Sequence, residues 1–302
     1  MANILVSGLI NLETTLRVDG FPIEYTPVRY PFFGVNSTVS GVGYNIAKAL
    51  IRLGDSVSLL SIVGSDAAGE LARGTVRNIG LNGEDVIALS DHTAQSVILY
   101  DEGGRRQVNV DLKDIQEQNY PLERFQEIIR PADLAVLCNI NYSRPMLSLA
   151  GNAGKRIATD VHSIYELEDP YNQDFMAAAH ILFMSDERLP ISPEAFAKQV
   201  VARYRPEILV TGMGARGALL YLFQEDRMDH IPAINIRPVV NTIGAGDALF
   251  SCFVHYYAKG FSPLDALRRA VVFAGYKIGG TGAAEGFLNE SQLEGYMENI
   301  VW

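Results

Sequence analysis

Short apolar runs separated by helix-length amphipathic stretches constrain this 302-residue chain more than any other feature. Ile4 to Gly8, Val57 to Ile62, Leu134 to Cys138, Arg156 to Thr159, Ile181 to Met184 and Ile208 to Thr211 each read as a strand that is apolar on both faces. Helical patterns fall between them, at about 43–53, 66–79, 121–129, 144–152 and 192–204. Strands buried on both faces need helices on both sides, so the pattern predicts a three-layer α/β/α fold around a mainly parallel sheet. No composition break divides the chain, and residues 1–302 are expected to form one domain.

Two segments depart from this rhythm. Residues 14–39 gather Phe21, Tyr25, Tyr30, Phe32 and Phe33 among prolines and β-branched residues. Residues 95–110 alternate about Gly103-Gly104 in the manner of a hairpin. Together they predict a small β lid inserted in the domain, whose aromatic residues would form its core, a contact with a second copy of the chain, or a surface for a flat ring. After Thr211 come strand-like runs at 218–223 and 228–231, then helices at about 246–259 and 263–278.

Charge narrows the partners. Twenty-five basic and thirty-five acidic side chains give a formal charge of -10, which disfavours nucleic acid and anionic membranes. The apolar stretches are too short to span a bilayer, and residues 1–6 carry neither a basic region nor a cleavage signal, so a cytoplasmic location is expected. Cys138 and Cys252 lie far apart in apolar segments and read as core residues. The five histidines form no metal-binding spacing.

The chemistry concentrates in Asn241-Thr242-Ile243-Gly244-Ala245-Gly246-Asp247, which precedes an apolar helix. A glycine turn opening a helix leaves backbone N–H groups unpaired beside the positive end of the dipole, and so makes an anion hole. Asp247 would there accept a proton from an alcohol lying beside the anion; an ordinary turn with a dipole-favoured carboxylate is the competing interpretation. Gly212-Met213-Gly214-Ala215-Arg216-Gly217 fits G-x-G-x-x-G, but strand-like sequence follows where that fingerprint requires a helix, which excludes a Rossmann dehydrogenase. Neither a Walker lysine motif nor the protein-kinase signatures occur. Gly41, Gly43 and Asn45 open a helix in a manner suited to a sugar hydroxyl, and Asn11 and Glu13 follow the first strand as an amide and acid pair.

The order of these three segments resembles the ribokinase (PfkB-type) carbohydrate kinase family over essentially the whole chain. The resemblance implies ATP-dependent phosphorylation of a small sugar, or of a nucleoside. It makes Asp247 the base, and Gly244, Ala245 and Gly246 the anion hole. Asn11, Glu13, Gly41, Gly43 and Asn45 would hold the acceptor, while Thr211, Gly212, Gly214, Gly217 and Gly282 would line the ATP side. Mg²⁺ would travel with ATP, with Glu187 reaching it through water, and a monovalent cation such as K⁺ is implied near the anion hole. A homodimer through the lid is a further expectation.

Four positions depart from the family pattern. Asn241 and Glu13 stand where aspartates are usual, and Ser40 replaces a glycine. The N-x-x-E stretch becomes Ser185-Asp186-Glu187-Arg188. A sugar- or nucleotide-binding protein of little turnover on the same fold remains the alternative from another class.

Overall fold

The computed structural model describes residues 1–302. Its strands are β1 (Asn3–Ser7), β2 (Asn11–Arg17), β3 (Val35–Ser40), β4 (Ser56–Gly64), β5 (Val86–Ser90), β6 (Gln95–Tyr100), β7 (Arg106–Asp111), β8 (Leu134–Leu137), β9 (Arg156–Ser163), β10 (Ile181–Ser185), β11 (Ile208–Gly212), β12 (Ala218–Leu222) and β13 (Arg227–Ile231). Its helices are α1 (Val42–Leu53), α2 (Ala67–Asn78), α3 (Leu122–Ile129), α4 (Arg144–Asn152), α5 (Gln173–Ala178), α6 (Pro193–Tyr204), α7 (Ala245–Ala258), α8 (Pro263–Lys277) and α9 (Glu290–Met297).

Nine strands form the main sheet in the order β13-β12-β11-β10-β9-β8-β1-β4-β5. Every neighbouring pair from β11 to β5 is parallel, and β12 and β13 add an antiparallel edge. Alternation within a strand divides the core in two. Ile4 and Val6 of β1 join a cluster of 45 buried residues with α1, α7, α8 and α9, whereas Leu5 joins a cluster of 31 with α3 to α6 on the other face. This is the expected three-layer arrangement, with each parallel strand apolar on both sides because each side meets helices. No helix is long and apolar enough to cross a membrane.

The second sheet has the order β3-β2-β6-β7, with β2 and β6 parallel and the outer pairs antiparallel. It differs from the expected lid in where it begins. Asn11 and Glu13 belong to β2 itself and are not turn residues past β1; burial alternates along β2, so its odd-numbered residues face inward. Nor do the aromatic residues of 14–39 form a lid core. Tyr25, Tyr30, Phe32 and Phe33 are 75–107% exposed, on an irregular excursion between β2 and β3.

Helix α7 is buried from Ala248 to Tyr256, as a helix apolar on every side must be, and packs between α1 and α8. One polar anchor fixes it. His255 Nδ1 donates to Asp55 Oδ2 at 2.7 Å, and the other oxygen of Asp55 accepts from the Ala2 amide at 3.1 Å, both side chains being almost wholly buried. Replacing Asp55 with alanine strands both donors, and urea unfolding is expected to record a loss of about 3 kcal/mol, the usual cost of breaking a buried polar pair.

Candidate active site

The C-terminal ends of the parallel strands share one edge of the sheet, the customary location of ligand crevices in such folds, and the head of α7 lies there. Gly244 caps the helix with a φ of 74°, a left-handed conformation, and a Cβ on it would sit 2.4 Å from the carbonyl oxygen of Ala283. The turn is thereby pressed against the 279–284 loop. The Ala245 amide donates to Thr242 O at 3.2 Å, whereas the amides of Gly244, Gly246 and Asp247 have no partner in the protein. The free donors therefore include the amide of Asp247 and leave out that of Ala245, a set shifted from the one the glycine spacing suggests.

Asp247, in the first turn, accepts from Asn45 Nδ2 at 2.7 Å, which joins α7 to the head of α1. Its carboxyl is held above the ordinary aspartate range by burial, against which Asn45 and the charges of His162 and Lys277 pull down. Asn45 reaches the site because α1 begins against the β1–β2 connection: Gly43 lies so close to Gly8 that a Cβ would fall 2.4 Å from the Gly8 carbonyl carbon. The Gly43 amide bonds Leu9 O at 3.0 Å. Gly41 serves as the helix N-cap.

From Asn45 a buried polar chain continues toward β2. Ser40 Oγ lies 3.2 Å from Asn45 Oδ1 and 3.1 Å from Glu13 Oε2, and its single proton goes to one of these acceptors at a time. Ser40 thus puts a hydroxyl link where the family has glycine. The Glu13 carboxyl is raised by burial, with the Ser40 hydrogen bond opposing and the charge of Asp247 reinforcing the shift. Asn11 Nδ2 donates to Ser96 Oγ of β6 at 3.0 Å. Asn11 Oδ1 and Glu13 Oε1 are buried acceptors that receive nothing from the protein. Native interiors rarely leave such atoms unpaired, so a ligand that brings hydrogen-bond donors fits here.

On the opposite flank, Thr211 and Gly212 close β11; Thr211 Oγ1 is buried without a partner, and Gly212 faces Leu249 of α7. Gly214 opens a tight turn that returns to β12, so the glycine fingerprint is a hairpin connection, as the strand-like sequence after it requires. Gly217 lies farther out, against Ile231 and Ala233 near β13. Gly282 sits in the loop against which the Gly244 turn packs. Glu187 is at the rim, 64% exposed, with Oε1 3.9 Å from Arg106 and Oε2 3.5 Å from the Ser163 hydroxyl. No group of three His, Cys, Asp or Glu side chains is gathered to hold a metal. A lone rim carboxylate suits a magnesium ion carried in by phosphates and reached through water, and does not form a cage.

Four residues join the site that motif spacing left out. Lys277, at the end of α8, is fully buried, and its Nζ donates to Ile243 O. Burial draws its ammonium down to about 8, while Asp247, Glu13 and Glu285 hold it up. Arg106 reaches from β7 of the small sheet to Thr242, bonding its carbonyl at 3.2 Å and also its hydroxyl. Asp160 and His162, near the C-terminal end of β9, lie close enough to Asp247 to act on its charge, and His162 adopts a left-handed φ of 57°. Position at the end of a parallel strand is the signal that would have found Asp160.

Unpaired amides and a carboxylate sharing one helical turn are what transfer of a phosphoryl group to an alcohol requires, and this fold places them at its ligand edge, which puts the chain among the small-molecule kinases. Residues 1–290 match the pfkB family carbohydrate kinase pattern, and the chain belongs to that family of ATP-dependent sugar and nucleoside kinases. It is 25% identical over 310 residues to a deoxyribokinase from Salmonella typhi, covering 97% of each chain. It is 28% identical over 260 residues to an ATP-dependent ribose-1-phosphate kinase from Halopiger xanaduensis, covering 84% of each. Among solved structures, a microbiome-derived acarbose kinase superposes with a TM-score of 0.88 at 24% identity, over 98% of this chain and 99% of the other.

The raised carboxyl of Asp247 has a kinetic signature. Its ionised form is the one able to accept a proton, so the acid limb of kcat/KM is expected above the ordinary carboxylate range. Asn45→Leu removes the donor that favours the ionised form and moves that limb to higher pH, whereas Glu13→Gln removes a neighbouring negative charge and moves it to lower pH; pH profiles of the two variants check this.

Proposed function

We propose that this chain transfers the γ-phosphoryl group of ATP to a primary hydroxyl of a small sugar, with a free furanose as the acceptor. The observation that carries the reading is the buried chain from Glu13 through Ser40 and Asn45 to Asp247, which couples unpartnered acceptor oxygens to the carboxylate at the head of α7. Sugar hydroxyls are the donors those oxygens lack. The two sequence relatives, a deoxyribokinase and a ribose-1-phosphate kinase, point to pentoses as well.

In this reading Asn11, Glu13 and Asn45 bracket the acceptor, with Gly41 and Gly43 letting the backbone approach it. Asp247 orients the hydroxyl and accepts its proton late, since a carboxylate is a far weaker base than an alkoxide. The free amides of Gly244, Gly246 and Asp247 hold the charge that builds on the migrating phosphoryl. Thr211, Gly212, Gly214 and Gly282 flank the nucleotide, and Arg106 closes the small sheet over the phosphates as a lid. Glu187 would hold a magnesium ion through water, and the ion would supply neutralisation of the phosphate charge. For the lid's free edge the partner we assign is a second copy of the chain: β7 is an unpaired edge strand, exposed at every residue from Arg106 to Asp111, with Val108 and Val110 49–50% exposed on it. A monomer at all accessible concentrations in sedimentation analysis would remove that assignment.

ADP release measured against a panel of pentoses, hexoses and nucleosides is expected to respond most strongly to a furanose. A best response to nucleosides would transfer the acceptor to that class. Silence across the panel, with thermal stabilisation by ligand, would mark a binding protein. Asp247→Asn should lower kcat by roughly two to four orders of magnitude, the range of a general base, with the fold intact by circular dichroism.

A further inference from the structure

Three backbone carbonyls in the two loops that build the turn with the free amides carry side-chain donors. Ile243 O accepts from Lys277 Nζ, while Gly280 O and Thr281 O accept from Asn241 Nδ2 at 3.3 and 2.8 Å. The orientation of the Asn241 amide is fixed by its partners, because its Oδ1 takes the Ile243 N–H at 3.0 Å while its nitrogen faces two oxygens. Loop carbonyl oxygens of this kind are common ligands of a hard cation. In this chain those oxygens already have donors, and they come from side chains.

The residues here do not fit the free monovalent cation that the family resemblance implies. An amide nitrogen is a donor and offers no lone pair to a metal, and Asn241 turns that nitrogen toward two of the three carbonyls. Lys277 brings a positive charge to the third. It is 0% exposed, and a buried ammonium persists only where negative groups compensate it; the carboxylates of Asp247, Glu13 and Glu285 act on it, with Arg106 opposing. A value of about 8 leaves it mainly charged at neutral pH.

We infer that Lys277, together with Asn241, is a tethered replacement for a free monovalent cation: it fixes the 241–244 loop that presents the phosphate-facing amides, and it makes turnover independent of K⁺. Lys277 is a positioning residue acting through Ile243 and through charge, without touching the acceptor. The inference rests on the kinase reading above and deepens it.

Three salts of matched ionic strength test it on the unaltered chain: potassium, sodium and tetramethylammonium chloride. Equal kcat and equal acceptor KM, within about twofold, are expected in all three. Activation of roughly tenfold or more by potassium over tetramethylammonium would overturn the inference. Lys277→Met is expected to lose roughly a hundredfold in kcat, because the amides it positions are the ones that hold the transition-state charge, with little change in acceptor KM. Lys277→Ala should regain activity with methylammonium, a rescue that no purely structural role predicts. A folded Lys277→Met variant with unchanged kcat would also overturn it, and if that variant does not fold, the salt comparison decides. Should no acceptor be turned over in any salt, the kinase reading fails. The melting temperature then decides the fate of the cation proposal: equal Tm in the three salts supports it, and a higher Tm in potassium alone refutes it.

Discussion

The hydrogen bond from Asn45 to Asp247 joins residues 202 positions apart, and the site depends on it. It ties the first turn of α1 to the first turn of α7, two helices from opposite ends of the chain that pack on the same face of the sheet. Neither residue would be in place without that packing. Asn45 needs the close passage of Gly43 over Gly8, and Asp247 needs the Gly244 turn pressed on Ala283. Burial makes the bond count for more, because a half-buried carboxylate with few alternative donors is held by the one it has.

Charge balance is the second constraint. Glu13 and Asp247 bring two carboxylates into one crevice, and Lys277 answers them from below. Such a cluster favours neither sign strongly, and in the proposed reading this would let the site admit a triphosphate without repelling it. Arg106, supplied by the small sheet, adds charge only while that sheet lies against Thr242.

Most of the main sheet could be read from the sequence because parallel strands buried on both faces are largely apolar, and helices α7 and α8 were marked by long periodic stretches; β5, an edge strand with a partly exposed middle, went unread. β2 escaped that reading for a physical reason: Asn11, Glu13 and Thr15 point inward, but into a polar site, so the strand lacks the apolar alternation that marks a core-facing face. The glycine-aspartate turn located the head of α7, yet which amides are free depends on the Thr242 carbonyl, a detail of turn geometry that residue types do not carry. Ser40 looked like a damaged glycine and is a hydrogen-bonding link. Lys277 was silent, because a lysine in the last turn of a helix ordinarily reads as a solvated group favoured by the dipole, and its burial is created by the Ile243 segment 34 residues away.

The grip of Arg106 on Thr242 makes the small sheet and the anion-binding turn a single latch. Lifting the sheet withdraws the guanidinium from the very loop whose carbonyl engages Ala245, so in the proposed reading the way in for a sugar would open only as the phosphate seat lost a brace. A nucleotide resting there alone would meet a loosened seat, and with it less chance of surrendering its phosphate to solvent. Thrift with ATP would then follow from one arginine joining the small sheet to the loop before α7.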